Sequence, residues 1–266
     1  MKMIREITST SNPLVKELRA LASSKKARQE TGTFIIEGWR GIETLLSHES
    51  RHYKLEQLVV VKGEKDDPRL PDSIDTTILP DFVFEKISDV KNAQGILGVV
   101  RHTPCPFEFS PDAGNYLLLD NLRDPGNLGT LIRSAVGAGF DGILLHGDCV
   151  DPSNPKVIRS TMGTFAYCNV WNISRGDIDQ LMDAGYELCV TTGHNGESLY
   201  ETAFTKKTVL VIGSEAHGAS NELIQLTTKR ITIPLAKECE SLNAAMAGGI
   251  CMFQITRGSS CGISQA

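Results

Sequence analysis

From about residue 115 onward, short apolar runs alternate with segments of helical spacing, and this alternation restricts the possible folds more than any single motif. NYLLLD, GILLHG, ELCVTT, TVLVIG and RITIPL have strand length and are apolar almost throughout. LGTLIRSAVGAG, NPKVIRSTMGTFA and SLNAAMAGGICMFQITR read as helices among and after them. Strands apolar on both faces and separated by helices predict a parallel sheet covered on both sides. In such a sheet the loops at the carboxyl ends of the strands are where ligands bind.

The front of the chain alternates too. SNPLVKELRALAS places Leu14, Leu18 and Leu21 on one helix face, with Ser11 or Asn12 before Pro13 as the cap. TFIIEG, LEQLVVVKG, TTILP and GILGVVR read as strands, and WRGIETLLSH and DFVFEKISDV as helices. The expected organisation is a smaller α/β domain over 1–104, a linker over 105–114 (CPFEFSPDAG), and a parallel-sheet domain over 115–266 that ends in a loose tail, GSSCGISQA.

Composition excludes several classes. No run approaches the roughly 18 apolar residues of a membrane span, and MKMIREITSTSNP has no stretch of signal-peptide length. A cytoplasmic protein is expected. The seven cysteines form no C-x-x-C pair, so they read as buried reduced thiols and no metal site is expected. Net charge is −5, yet residues 1–62 hold eleven Lys and Arg against seven Glu and no Asp. A basic front on an acidic body is compatible with a local polyanion contact, and equally with a solvated helix face.

GAGFDG (137–142) matches the dinucleotide fingerprint letter for letter. That fingerprint works only between a strand and the helix it opens. Here a helix precedes it and a strand follows, so the glycines read as a helix end and a tight turn.

Three other stretches sit where chemistry is expected. In DNLRDPGNLGTLIRSAVGAG (120–139), Asp124 and Pro125 suit a helix start, and Leu128, Leu131, Ile132, Ala135 and Val136 form one stripe. Asn127 and Arg133 lie off that stripe. In LVIGSEAHGASNELIQL (210–226), a strand ends on Gly213, Ser214 and Glu215. In ITIPLAKECESLNAAMAGGI (231–250), a strand ends at Pro234, and Ser241 caps a helix whose Leu242, Ala245, Met246, Gly249 and Phe253 face inward. Each polar residue has an ordinary structural reading as a cap, a turn residue or a solvated side chain. Following three strands of one sheet, however, the three loops should converge.

Together these stretches resemble motifs 1, 2 and 3 of the SpoU-type (TrmH-like) RNA ribose 2′-O-methyltransferases of the SPOUT superfamily. They match, in order, D-N-x-x-D-P-x-N-x-G-x-x-x-R-x-A, G-S-E-x-x-G and I-P-[ML]…E-S-L-N, over roughly 115–257. The front block resembles the family's substrate-binding domain through S-x-N-P-x-V-K-x-L, F-I-I-E-G and QGILGVV. Departures are Ala216 and His217 in motif 2 and Lys237 in motif 3.

The resemblance implies a trefoil-knot methyltransferase domain, a homodimer, and S-adenosylmethionine as cofactor. It implies a cofactor site at Thr192, Gly193, Ile212, Gly213, Ser214, Glu215, Ile233, Pro234, Leu235, Ser241, Leu242 and Asn243. It carries Arg133 over as the catalytic residue, with Asn127, Glu215, Ser241 and Asn243 as its polar company. A guanidinium keeps its proton in proteins, so Arg133 reads better as a phosphate anchor that also stabilises developing oxyanion charge than as a base. The implied reaction is methyl transfer to a ribose 2′-hydroxyl of RNA, ribosomal ahead of transfer RNA. Lys16, Arg19, Lys25, Lys26, Arg28 and Arg40 are the candidate RNA contacts, with residues 23–32 expected to order on RNA. A non-catalytic RNA-binding protein of the same fold, or a base-nitrogen methyltransferase, remains the alternative.

Overall fold

A computed structural model describes residues 3–88, 90, 92–108 and 113–257. The tail from residue 258, Cys261 included, and residues 109–112 of the expected linker lie outside the described residues.

The first unit begins with β1 (Ile4–Glu6), α1 (Pro13–Ser23), α2 (Lys25–Thr31), β2 (Thr33–Glu37), α3 (Trp39–Ser47) and β3 (Tyr53–Val61). It continues with β4 (Asp75–Leu79), α4 (Asp81–Phe84) and β5 (Ile96–His102). The strands form a mixed sheet of order β1-β4-β3-β5-β2. Side chains alternate across a strand, so the continuous apolar runs are buried twice over. Ile35, Val59 and Leu97 meet Val15, Leu18 and Leu21 of α1 on one face. Phe34, Ile36, Leu58 and Val60 meet Trp39 and Ile42 of α3 on the other. The α1 cap is Asn12, whose Oδ1 accepts from Leu14 N at 2.9 Å.

The remaining elements are β6 (Tyr116–Asp120), α5 (Pro125–Gly137), β7 (Gly142–His146), α6 (Pro155–Ser160), β8 (Val170–Asn172), α7 (Arg175–Asp183) and β9 (Glu187–Thr191). They end with β10 (Glu197–Ser198), β11 (Thr208–Ile212), α8 (Asn221–Leu226), β12 (Lys229–Thr232) and α9 (Ala244–Thr256). As the alternation predicts, the second sheet is parallel throughout, in the order β10-β12-β9-β11-β6-β7-β8. Ile178 and Leu181 of α7 and Leu223 of α8 cover one face over Leu118, Leu144, Val190 and Val211.

Three local expectations are corrected. Asp151–Ala166, which its sequence position assigns to the second domain, groups with the first unit. Its Ile158 and Phe165 are buried against Phe34 and Ile36, and periodicity reports an apolar face without saying which sheet covers it. Residues 25–31 form a helix, capped by Ser24 and closed by Gly32 at φ 64°. Ser241 does not cap the last helix. Asn243 does, accepting from Ala245 N at 2.9 Å and Met246 N at 3.2 Å. Finally, α9 buries Ala245, Gly248, Cys251, Met252 and Ile255, while Met246 and Phe253 are 59% and 51% exposed. Gly248 sets this rotation, because a Cβ there would stand 2.4 Å from Leu131 Cδ2 of α5.

Burial pushes the Cys168, Cys189 and Cys251 thiols up to about 12, so these remain protonated and unreactive. His102 stacks on Tyr53 with ring centroids 5.0 Å apart. Burial first, and the neighbouring His52 second, hold it below its ordinary value of 6.5. A histidine that resists protonation in the folded state contributes stability that is complete above its unfolded value and is lost as pH falls through the folded one. The unfolding free energy is therefore expected to decline below about pH 6.5. Urea titrations across that range should show a shallower decline for His102→Gln than for the wild type.

Candidate active site

Asp124 caps α5 by accepting from Asn127 N at 2.7 Å, and Pro125 opens the helix where its missing N–H costs nothing. This fixes the Asn127 backbone and leaves its amide for tertiary contacts. The amide is buried, donates from Nδ2 to Glu215 Oε1 at 2.8 Å, and accepts at Oδ1 from Asn243 Nδ2 at 2.9 Å. The carbonyl oxygen of Asn243 is the α9 cap, so both ends of that side chain are committed. One hydrogen-bonded chain, Glu215–Asn127–Asn243, thus joins the loop after β6, the turn after β11 and the loop after β12. Exchanging O and N in either amide would set donor against donor or acceptor against acceptor, which fixes both orientations.

The turn after β11 is closed by its own backbone. Ser214 N donates to Gly218 O and Gly218 N to Ser214 O, each at 2.9 Å. Gly218 takes φ 70°, a left-handed conformation that suits glycine. Gly213 has another reason: a Cβ there would lie 2.0 Å from Ala219 N and from Gly218 C. The far end of the turn is held by Ser220 N, which donates to Asp120 Oδ2 at 2.6 Å. Asp120 is fully buried, and its Oδ1 also accepts from His146 Nδ1 and Asn121 Nδ2, each at 2.9 Å. Sequence reading missed Asp120, His146 and Ser220. The aspartate at the end of an otherwise apolar strand was the available signal, since a buried carboxylate needs donors.

Beside this chain of bonds lies a cavity of about 380 Å³, within the usual range for small-ligand sites. It is lined by Thr192, Gly193, Ile212, Gly213, Ser214, Glu215, Ile233, Leu235, Ser241, Leu242 and Asn243, all anticipated from sequence. Pro234 is not among the lining residues, although both its neighbours are. Thr191, Gly218, Ile231, Glu240, Ala244 and Ala247 also line it and were not anticipated. The walls carry five aliphatic side chains, Ile212, Ile231, Ile233, Leu235 and Leu242, with Glu215 and Glu240 as the carboxylates. Apolar walls to flank a flat ring, backbone groups to read its edge, and carboxylates for hydroxyls or a cation fit S-adenosylmethionine. No group of three or more His, Cys, Asp or Glu among the described residues could hold a metal.

Arg133 lies on the exposed side of α5 and does not line the cavity. Among the described residues it has no hydrogen bond or ion pair, so Asn127 and Glu215 do not orient it within this chain. Of the candidate RNA contacts, Lys16, Arg19, Lys25, Lys26 and Arg40 are exposed. Arg28 is corrected: it is 5% exposed. Its Nε and Nη2 donate to Asp151 Oδ2 at 2.8 and 2.7 Å, and its Nη1 donates to Leu21 O at 2.7 Å. A guanidinium so enclosed ties α2 to the 151–166 segment and cannot reach a ligand.

Comparison with known proteins agrees with this geometry. Residues 114–253 match the SpoU rRNA Methylase family, and residues 12–98 match the MRM3-like substrate binding domain. The chain is 30% identical over 257 residues to the 23S rRNA (guanosine(2553)-2′-O)-methyltransferase RlmP of Bacillus subtilis, covering 95% of this chain and 99% of that one. It is 32% identical over 260 residues to an uncharacterized tRNA/rRNA methyltransferase of Synechocystis, covering 96% and 94%. The crystal structure of an AdoMet-bound rRNA methyltransferase from Sinorhizobium meliloti superposes with a TM-score of 0.84 at 31% identity, covering 96% of this chain and 98% of that one. With a matched segment that holds all three converging loops, and similarity along nearly the whole length, the chain belongs to the SpoU rRNA methylase family.

Proposed function

We propose that the protein transfers a methyl group from S-adenosylmethionine to a ribose 2′-hydroxyl of ribosomal RNA. The single observation that carries this reading is the bonded chain Glu215–Asn127–Asn243, which holds three distant loops around one cavity. The relatives named above act on, or are named for, ribosomal RNA.

Backbone groups at 192–193, 212–215, 233–235 and 241–243 would hold the nucleoside end of the cofactor, between Ile212, Leu235 and Leu242. The cofactor supplies an electrophilic methyl group. Asn127 and Asn243 keep Glu215 and the third loop in fixed register, so positioning contributes without reorganisation. Arg133 anchors the phosphate beside the target ribose and stabilises charge growing on its 2′-oxygen. Residues 1–104 together with 151–166 serve as the RNA-binding unit and the rest of 115–266 as the methyltransferase unit, with Lys16, Arg19, Lys25, Lys26 and Arg40 facing the RNA.

The enzyme works as a homodimer. Met246 and Phe253 stand out from α9, which packs on the α5 helix that carries Arg133. Two protruding apolar side chains two turns apart on one helix support an association surface there, to which a second copy would bring another Arg133. A cytoplasmic location fits the buried protonated thiols, and no helix among the described residues is long and apolar enough to cross a membrane.

Incubation with methyl-labelled cofactor and ribosomal RNA lacking the modification tests the reaction. Alkali hydrolysis needs a free 2′-hydroxyl, so the label is expected in alkali-resistant dinucleotides. Label recovered on a base, or cofactor bound with no RNA methylated, would favour one of the two rival readings and end this one.

A further inference from the structure

A second cleft, of about 510 Å³, opens in the first unit. Its floor includes Ile35 and Ile87, and its rim carries four cations. Lys16 and Arg19 stand nearly one turn apart on the outer face of α1, Lys86 follows α4 by two residues, and Arg159 comes from α6, far along the chain. Among the described residues lining the cleft, Glu37 is the one acid. Its side chain is 6% exposed and faces inward: Ser88 Oγ donates to Oε1 at 2.5 Å, and Arg159 Nη1 lies 3.8 Å from Oε2. Glu37 therefore braces the wall and leaves little negative potential at the mouth. Lys16, Arg19 and Lys86 are exposed and make no ion pair among the described residues.

Glu37 offsets Arg159, while Lys16, Arg19 and Lys86, around a concave and partly apolar floor, focus positive potential there. We infer that this cleft binds a backbone phosphate of the RNA substrate, with Lys86 and Arg159 joining Lys16 and Arg19 as the site. The inference rests on the proposed RNA substrate and adds the place and residues of a contact outside the methyl-transfer cavity. A polyanion with regularly spaced charges suits separate cations on one rim better than a single carboxylate does, and the apolar floor can take the carbon face of a ribose. Phosphate contacts position RNA and carry no sequence information, so the site contributes affinity and register while sequence choice lies elsewhere.

Fluorescence anisotropy with labelled RNA hairpins of differing sequence, over a salt series, tests the site. Lys86→Glu is exposed and should fold normally. It is expected to weaken binding on the order of fivefold to tenfold for every hairpin, and to lower the salt slope by about 1. The triple variant Lys16→Glu, Arg19→Glu, Lys86→Glu should lose on the order of a hundredfold. Lys65→Glu, which lies outside the cleft and whose lysine pairs with Asp66, should match the wild type. Cofactor affinity should be unchanged throughout. If the wild type binds RNA and the triple variant binds with the same affinity and slope, the cleft is not an RNA site. A wild type that binds no hairpin at any salt would remove the RNA reading and the cleft together.

Discussion

Arg133→Ala is expected to lower methyl transfer on the order of a thousandfold, with cofactor affinity and fold unchanged. The side chain is exposed and has no partner among the described residues, so its truncation leaves no buried group stranded. Surface changes of that kind usually alter stability by about 0.5 kcal/mol or less. A loss of rate alone, with cofactor binding intact by calorimetry, would therefore report a role in the reacting complex. Arg133→Lys should be nearly as poor, because a point charge does not reproduce the two-pronged grip of a guanidinium on phosphate. Ordinary turnover in the alanine variant would remove Arg133 from the mechanism. In a homodimer, mixing Arg133→Ala with a cofactor-site variant also asks whose arginine serves which cavity, since recovery of activity requires service across the interface.

Gly213→Ala should be the most damaging small change in the cofactor site. The added methyl would overlap the backbone of Gly218 and Ala219 at 2.0 Å. No rotamer change relieves a clash with main chain. The turn has little room to move as a whole, being closed on itself at Ser214 and Gly218 and tied through Ser220 N to the buried Asp120. We expect a stability loss of about 3 kcal/mol, the upper end of the usual cost of overpacking. Shifting the turn would also break the Glu215–Asn127 bond, so cofactor affinity should fall on the order of a hundredfold. Gly218→Ala is the contrasting case. Open space surrounds its Cβ position, and only the backbone conformation at φ 70° resists the change, at a cost of about 1 kcal/mol. Denaturant unfolding and calorimetry on the two variants would separate clash from strain, and equal behaviour would discard the packing argument for Gly213.

Much of the site was legible because the signals were local. Asp124 before Pro125, glycines at a strand end and a small-residue helix each follow from backbone chemistry within a few residues. The loops converge because every strand of the second sheet runs the same way, which the alternation of apolar runs and helices already required. Ser241 reads as the cap because serine and asparagine suit that position equally; Asn243 takes it, and its Nδ2 donates to Asn127 Oδ1. The rotation of α9 was misjudged because a helix rich in Ala and Gly is apolar all round and offers no stripe to read. Arg28 illustrates the remaining gap. Within KKARQET it looks like its basic neighbours, and only Asp151, distant in the chain, turns it from a surface cation into a buried tie.

By itself the sequence determined two α/β units, the parallel direction of the strands in the second sheet, the family, and most of the residues around the cavity. These depend on periodicity and on turn chemistry, which act over a few residues. The tertiary structure alone decided that Asp151–Ala166 covers the first sheet, that Asn127 links Glu215 to Asn243, that Asp120 anchors the turn, and that Lys16, Arg19, Lys86 and Arg159 share one rim. Each of these is a pairing between distant segments. An apolar face or a polar side chain advertises that it needs a partner, while the packing of the whole chain selects which one it gets.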